Sequence, residues 1–120
     1  MRIFKTKWFT RFAKKEGITD STLKKEAEKI ANGETGDNLG SYVYKLRLAR
    51  SGAGKSGGYR VILFFRHNDR LFFAYAYAKS NMENIDSKEL MHIKRLAKKY
   101  INYTGQQVET LIQAGFFKEV

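Results

Sequence analysis

Between residues 42 and 79 three apolar runs, 42–49, 59–66 and 71–79, alternate or run continuously in the way sheet strands do, and a chain with that pattern is committed to a sheet. Successive side chains on a strand point to opposite faces. Tyr44, Leu46 and Leu48 therefore share one face, and Val43, Lys45, Arg47 and Ala49 share the other. Between the first two runs lies a loop containing Gly52, Gly54, Gly57 and Gly58, residues that open backbone conformations closed to others. Arg60 begins the strand that follows, so the cations of the loop and its two stems are neighbours in space. His67-Asn68-Asp69 suits a tight antiparallel hairpin between the last two runs. Alternation along Leu71–Ala78 predicts a central strand with large residues on one face and alanines, apart from Phe72, on the other.

Helical periodicity frames this sheet. Arg2 to Lys5 reads as a short strand; Trp8, Phe9, Phe12 and Ala13 then recur at helical spacing behind a Thr6 cap, and Gly17 stops the helix. Asp20 is the expected N-cap of a second helix with the stripe Leu23, Ala27, Ile30 and Ala31, ended by Gly33. The two helices form a hairpin packed on the sheet. Residues 32–41 read as loop. Asp86 and Glu89 make a capping-box-like pair before a helix ending near Tyr103, and Thr104 with Gln107 repeats the device before a last helix carrying Val108, Leu111, Ile112 and Phe116. The reading is α+β: a small antiparallel-dominated sheet with an N-terminal helical hairpin and C-terminal helices. Its 120 residues fit one domain over 1–120, with 104–118 an extra C-terminal helix.

Charge is unevenly placed. Residues 41–80 carry eight Lys and Arg against Asp69 alone, so +7 of the chain's net +11 falls on the sheet. A focused basic patch with aromatic company favours nucleic acid over an acidic membrane or protein surface. There are no cysteines, which excludes disulfides and thiolate chemistry, and the two histidines, His67 and His92, have no clustered acidic partners, so no metal centre is expected. No apolar run is long enough to span a bilayer and the N-terminus lacks a secretory core, so the expected location is the cytoplasm.

Residues 49–56 match a relaxed phosphate-loop pattern, with alanine where the strict form has glycine. That motif works by aiming the amides of a following helix at the phosphates, whereas here Gly57-Gly58-Tyr59 leads into a β-rich run. A nucleotide cofactor is not expected. The phosphate of a polymer suits the loop better: Lys45, Arg47, Lys55, Arg60 and Lys79 can surround one phosphodiester, as a metal-free ribonuclease requires. Tyr44, Tyr59, Tyr75 and Tyr77 are candidates to stack bases or donate protons, each set against ordinary packing.

Taken together, Phe4-Lys5-Thr6-Lys7-Trp8-Phe9, Leu39-Gly40, Lys45-Leu46-Arg47-Leu48-Ala49-Arg50, Gly54-Lys55-Ser56-Gly57-Gly58-Tyr59-Arg60, Ala78-Lys79 and Asn84-Ile85 resemble the RelE/ParE superfamily of bacterial toxins, and within it the HigB-like branch. The resemblance covers residues 2–100 and implies a RelE-like fold, ribosome-dependent mRNA cleavage without cofactor, and a cognate antitoxin. By motif position, Lys45 or Lys55 helps accept the 2′-hydroxyl proton, Arg47 and Arg60 stabilise the phosphate, and Lys79 serves the leaving side. Arg50, Tyr59, Arg66 and Tyr77 are expected to bind RNA. Two positions depart from the pattern: Ser80 follows Lys79 where ribonuclease members carry arginine, with no tyrosine after it, and Ala53 stands where the loop often holds a basic residue. The general acid is thus unassigned. Two other readings use the same residues differently: a poison of gyrase or another protein, and a basic RNA-binding accessory protein.

Overall fold

A computed structural model describes residues 1–50, 54–78 and 86–120. In chain order the elements are β1 (Arg2–Thr6), α1 (Lys7–Glu16), α2 (Asp20–Ala31), β2 (Asp37–Gly40), β3 (Val43–Arg50), β4 (Gly54–Arg66), β5 (Arg70–Ala78), α3 (Ser87–Ile101), α4 (Gly105–Gln113) and β6 (Phe117–Glu119). The strands form one sheet in the order β2-β3-β4-β5-β1-β6. All its pairings are antiparallel except β1 with β5. This α+β architecture, an antiparallel-dominated sheet with helices before and after it, agrees with the sequence pattern.

Each face of the sheet has its own core. On one, Leu46, Leu48, Val61, Leu63, Leu71 and Phe73 pack with Phe9 and Ala13 of α1 and Leu23, Ala27 and Ile30 of α2. On the other, Phe4, Val43, Ile62, Phe64 and Phe72 pack with Ile93, Ala97 and Ile101 of α3, Val108 of α4 and Phe117 of β6. The sheet is thus buried on both sides over most of its length, which explains why β4 reads as a nearly unbroken apolar run from Val61 to Phe65.

Local chemistry sets the helix ends. Thr6 accepts from the Phe9 amide to start α1, and Gly17, at φ 72°, supplies the left-handed residue that ends it. Thr19, not Asp20, caps α2; Asp20 is the first helical residue and pairs at 2.7 Å with Lys5. Asp86 accepts from the Glu89 amide at the start of α3, and Thr104 and Gln107 complete a reciprocal capping box on α4.

Several expectations need correction. Gly54 to Gly58 belong to β4, with Gly54 opposite Arg50 across a bulge, so the glycine stretch is largely strand. Gly58 is required there by close approach: a Cβ would sit 2.8 Å from the Leu48 carbonyl oxygen. Residues 37–40, read as loop, form the edge strand β2, which turns into β3 through Ser41 and Tyr42, both at positive φ. The last helix ends at Gln113. Gly115, at φ 84°, turns the chain into β6, leaving Phe116 exposed and Phe117 buried. No helix among the described residues is long and apolar enough to cross a membrane.

The largest departure is in β5. Ile62 pairs with Tyr75 but Leu63 pairs with Phe73, so Ala74 is an extra residue and the strand bulges. A bulge reverses the alternation beyond it. Leu71 and Phe73 lie on the α1/α2 face, but Tyr75 and Tyr77 join Ala74 and Phe72 on the α3 face, and Ala76 crosses to the helical-hairpin side. The predicted segregation of large residues from alanines therefore holds only as far as Phe73.

Candidate functional site

The reversal at Ala74 puts Tyr75 and Tyr77 beside the cations of β3 and β4. Arg47 lies directly opposite Arg60, and Arg60 directly opposite Tyr77, so the three form one row across β3, β4 and β5. The adjacent row is Lys45, Ile62 and Tyr75. Directly opposed side chains in such a ladder have Cβ atoms about 4.5–5.5 Å apart. Two guanidinium groups, an ammonium and two phenols thus converge on the end of the α3 face that the apolar core leaves uncovered.

The row is incompletely satisfied. Arg60 Nη1 and the Tyr77 hydroxyl are both buried and have no hydrogen-bond partner among the described residues. A buried donor left unpaired costs about 1–3 kcal/mol, more when charged. Burial pushes the Tyr77 phenol above its ordinary range, and the charge on Arg60 opposes that shift. Burial also raises the Tyr75 phenol. Both therefore stay protonated at neutral pH and can donate.

The other sequence-selected residues fall elsewhere. Tyr59 lies on the α1/α2 face, 3% exposed, where its hydroxyl donates to Glu16 at 2.8 Å and its ring meets Phe12 edge-on. Tyr44 is on the same face, against Phe65. Arg66 sits at the opposite end of β4, where its Nε donates to Asp69 at 2.7 Å. Six residues along a strand put it about 20 Å from Arg60. Arg70 donates to the Tyr100 and Tyr103 carbonyls and so caps the C-terminal end of α3. Part of the sheet's positive charge is thus structural. Arg50 and Lys55 are placed by backbone alone, at the facing ends of β3 and β4. Lys79, Ser80 and Ala53 lie outside the described residues.

Next to the row a groove of about 580 Å³ opens between the sheet and α3. Its floor is Ile62, Tyr75 and Tyr77; Glu89, His92 and Ile93 of α3 form one wall and Trp8 of α1 the other. β1 pairs with β5 only as far as Phe73, and α1 follows beside the remainder, which brings Trp8 to within 5.6 Å of Tyr75, ring centre to ring centre. The periodicity of residues 8–13 assigns Trp8 to the buried stripe, yet it is 44% exposed. Its place on the groove follows from the crossing of α1 over β5.

Against the known protein families, residues 1–120 match the RelE toxin of the RelE/RelB toxin-antitoxin system. The chain belongs to the RelE toxin family. It is accordingly a toxin of a toxin-antitoxin system, with an antitoxin as its partner. Among individual curated proteins none matches it. In this RelE-family toxin the described cations on the α3 face suit a single tetrahedral anion, with a protonated phenol at its side. The relaxed phosphate-loop pattern has no such use: β3 and β4 pair antiparallel, and Lys55 and Ser56 lie on a strand where that motif requires a helix.

Proposed function

We propose that this RelE-family toxin, on its sequence motifs a HigB-like one, is a metal-independent, ribosome-dependent mRNA endoribonuclease. The observation that carries the reading is the unsatisfied pair, Arg60 Nη1 and the Tyr77 hydroxyl, on directly opposed residues next to Arg47. Phosphodiester oxygens would complete both groups once the two side chains turn outward to meet them.

In the reaction the ribose 2′-oxygen attacks phosphorus, the 2′-O–P bond forms, and the P–O5′ bond breaks, giving a 2′,3′-cyclic phosphate and a 5′-hydroxyl. Lys45 or Lys55, in its neutral form, takes the 2′-hydroxyl proton. Arg47 and Arg60 hold the charge that accumulates on the phosphoryl oxygens. Tyr77 donates to one of those oxygens, and Lys79 serves the O5′ leaving group. Arg50 contacts the flanking backbone. Tyr59 and Arg66, placed away from the row, take no part.

The test is primer extension on a defined message translated in a purified system, with wild type and Arg60→Ala. Cuts confined to translated message and lost in a folded Arg60→Ala protein are expected. A folded, toxic protein that makes no cuts would redirect the search to a protein target.

A further inference from the structure

We propose that the groove between Trp8, Tyr75 and α3 is a nucleobase site, in which a base of the RNA held by the Arg47–Arg60–Tyr77 row stacks on Trp8. The proposal rests on the RNA-cleaving reading and adds to it Trp8, which lies in the N-terminal motif but has no role assigned by it.

Three observations converge on a base as occupant. The groove, at about 580 Å³, falls in the ~300–1,000 Å³ range of small-ligand sites. Its aromatic wall is already set: Trp8 stacks on Phe12 with ring centres 5.4 Å apart and planes 15° apart, and Tyr75 meets it edge-on at 63°. Phe12 backs the indole, and at 44% exposure Trp8 keeps surface for another flat ring. Finally, the groove and the cationic row share Tyr77, and Ile62 links the groove floor to Lys45. An occupant must therefore carry a flat apolar group and, immediately beside it, an anion. A nucleotide has that construction, and base–aromatic stacking tolerates any base because each presents a π-face. The polar groups available to a base edge are Asp86, Lys88, Glu89 and His92, which line the α3 side of the groove. An acidic peptide segment would also bring a carboxylate to the row and an apolar side chain to the groove, and titration with the antitoxin separates it from RNA. The flat, half-exposed indole backed by Phe12 favours a base.

Trp8 is the chain's only tryptophan, so intrinsic fluorescence reports the site directly. The toxin is titrated with a trinucleotide bearing a 2′-deoxy sugar at the scissile position, which cannot be cleaved, and in parallel with ribose 5-phosphate. Saturable quenching by the trinucleotide and none by ribose 5-phosphate is expected. With the trinucleotide end-labelled and followed by anisotropy, Trp8→Leu should weaken binding about 5- to 100-fold, and Trp8→Phe, which keeps a stacking face, should retain most of it. Binding by anisotropy without quenching, and with Trp8→Leu equal to wild type, would mean that the phosphate row acts alone and would overturn the proposal. Quenching by the antitoxin but not by the trinucleotide would assign the groove to the protein partner and overturn it too. The nuclease reading fails separately: quenching with no cuts in translated message leaves the base site standing, and cuts without quenching leave the nuclease standing without it.

Discussion

Replacing Thr6 by valine tests how the site is held, because one hydroxyl joins the start of α1 to the bulge that aims Tyr75 and Tyr77. Thr6 is 9% exposed, and its Oγ1 accepts from the Phe9 amide at 3.1 Å and donates to the Ala74 carbonyl at 2.7 Å. Ala74 is the extra residue of the bulge. Thr6→Val preserves shape and removes both bonds. Loss of an N-cap costs about 0.5–2 kcal/mol, and loss of a buried hydrogen bond about 0.5–1.5 kcal/mol. The expected destabilisation is therefore about 2 kcal/mol, which for a chain of this size lowers Tm by roughly 6–12 °C. Thr6→Ser keeps both bonds and loses one methyl, about 0.8 kcal/mol. Urea denaturation of the two variants, read at unchanged m, separates the terms. The Val variant should also lose cleavage at temperatures where it is fully folded, since the bulge is no longer pinned. Equal stability of the Val and Ser variants, with full cleavage by both, would refute the argument that this hydroxyl sets the register of β5.

Other outcomes follow from single positions. Gly58→Ala places a Cβ 2.8 Å from the Leu48 backbone oxygen, and β3 and β4 must separate beside Arg47; a loss of about 1–3 kcal/mol is expected by urea unfolding, together with weaker cleavage. Tyr77→Phe removes a buried hydroxyl that has no partner among the described residues, so stability should hold or rise by up to about 1 kcal/mol while cleavage falls; a clear loss of stability would show that the hydroxyl is satisfied in the free protein. Ser41→Asn with Tyr42→Gly suits the two-residue turn in which both positions have positive φ, and should raise the urea midpoint, by about 1 kcal/mol in stability, without altering cleavage. Burial raises the phenols of Tyr75, Tyr77 and Tyr100 above the ordinary value of about 10. Their contribution to stability is therefore complete below pH ~10 and is lost as pH rises through the raised values; ultraviolet titration should show Tyr75, Tyr77 and Tyr100 ionising late, close to alkaline unfolding.

Much of this architecture was legible because it is local. The caps at Thr6 and Asp86, the stop at Gly17 and the apolar stripes of the helices each depend on residues within a turn of one another. So did the facing of Lys45 and Arg47, which needs only the period of a strand. What was hidden depends on partners far along the chain. Phe73-Ala74-Tyr75 contains no glycine, proline or charge to signal a bulge, and the side chain that hydrogen-bonds it, the Thr6 hydroxyl, is 68 residues away. β6 is three residues long and exists because β1 offers it an edge. The local charge count places Arg66 and Arg70 in the basic patch, yet one is spent on Asp69 and the other on the end of α3. Tyr59 adjoins Arg60 in sequence, but alternation puts it through the sheet, against Glu16.

The site also shows where the fold tolerates unfavourable terms. Arg47 and Arg60 are like charges placed directly opposite each other, an arrangement that destabilises a ladder by up to about 1 kcal/mol. Beside it are a guanidinium nitrogen and a phenol buried without partners among the described residues. An apolar pair at 47 and 60 would pack and pair better, so stability alone does not account for these residues. The two cores that flank the rest of the sheet hold the strands in register despite the repulsion, and the unfavourable terms are confined to the one end where α3 leaves a groove. An anion there relieves every one of them together. If the row takes RNA as proposed, an acidic antitoxin segment laid over it would offer carboxylates where a phosphodiester offers its oxygens, so neutralisation by that route would be competition for Arg47, Arg60 and Tyr77 without a change in the fold.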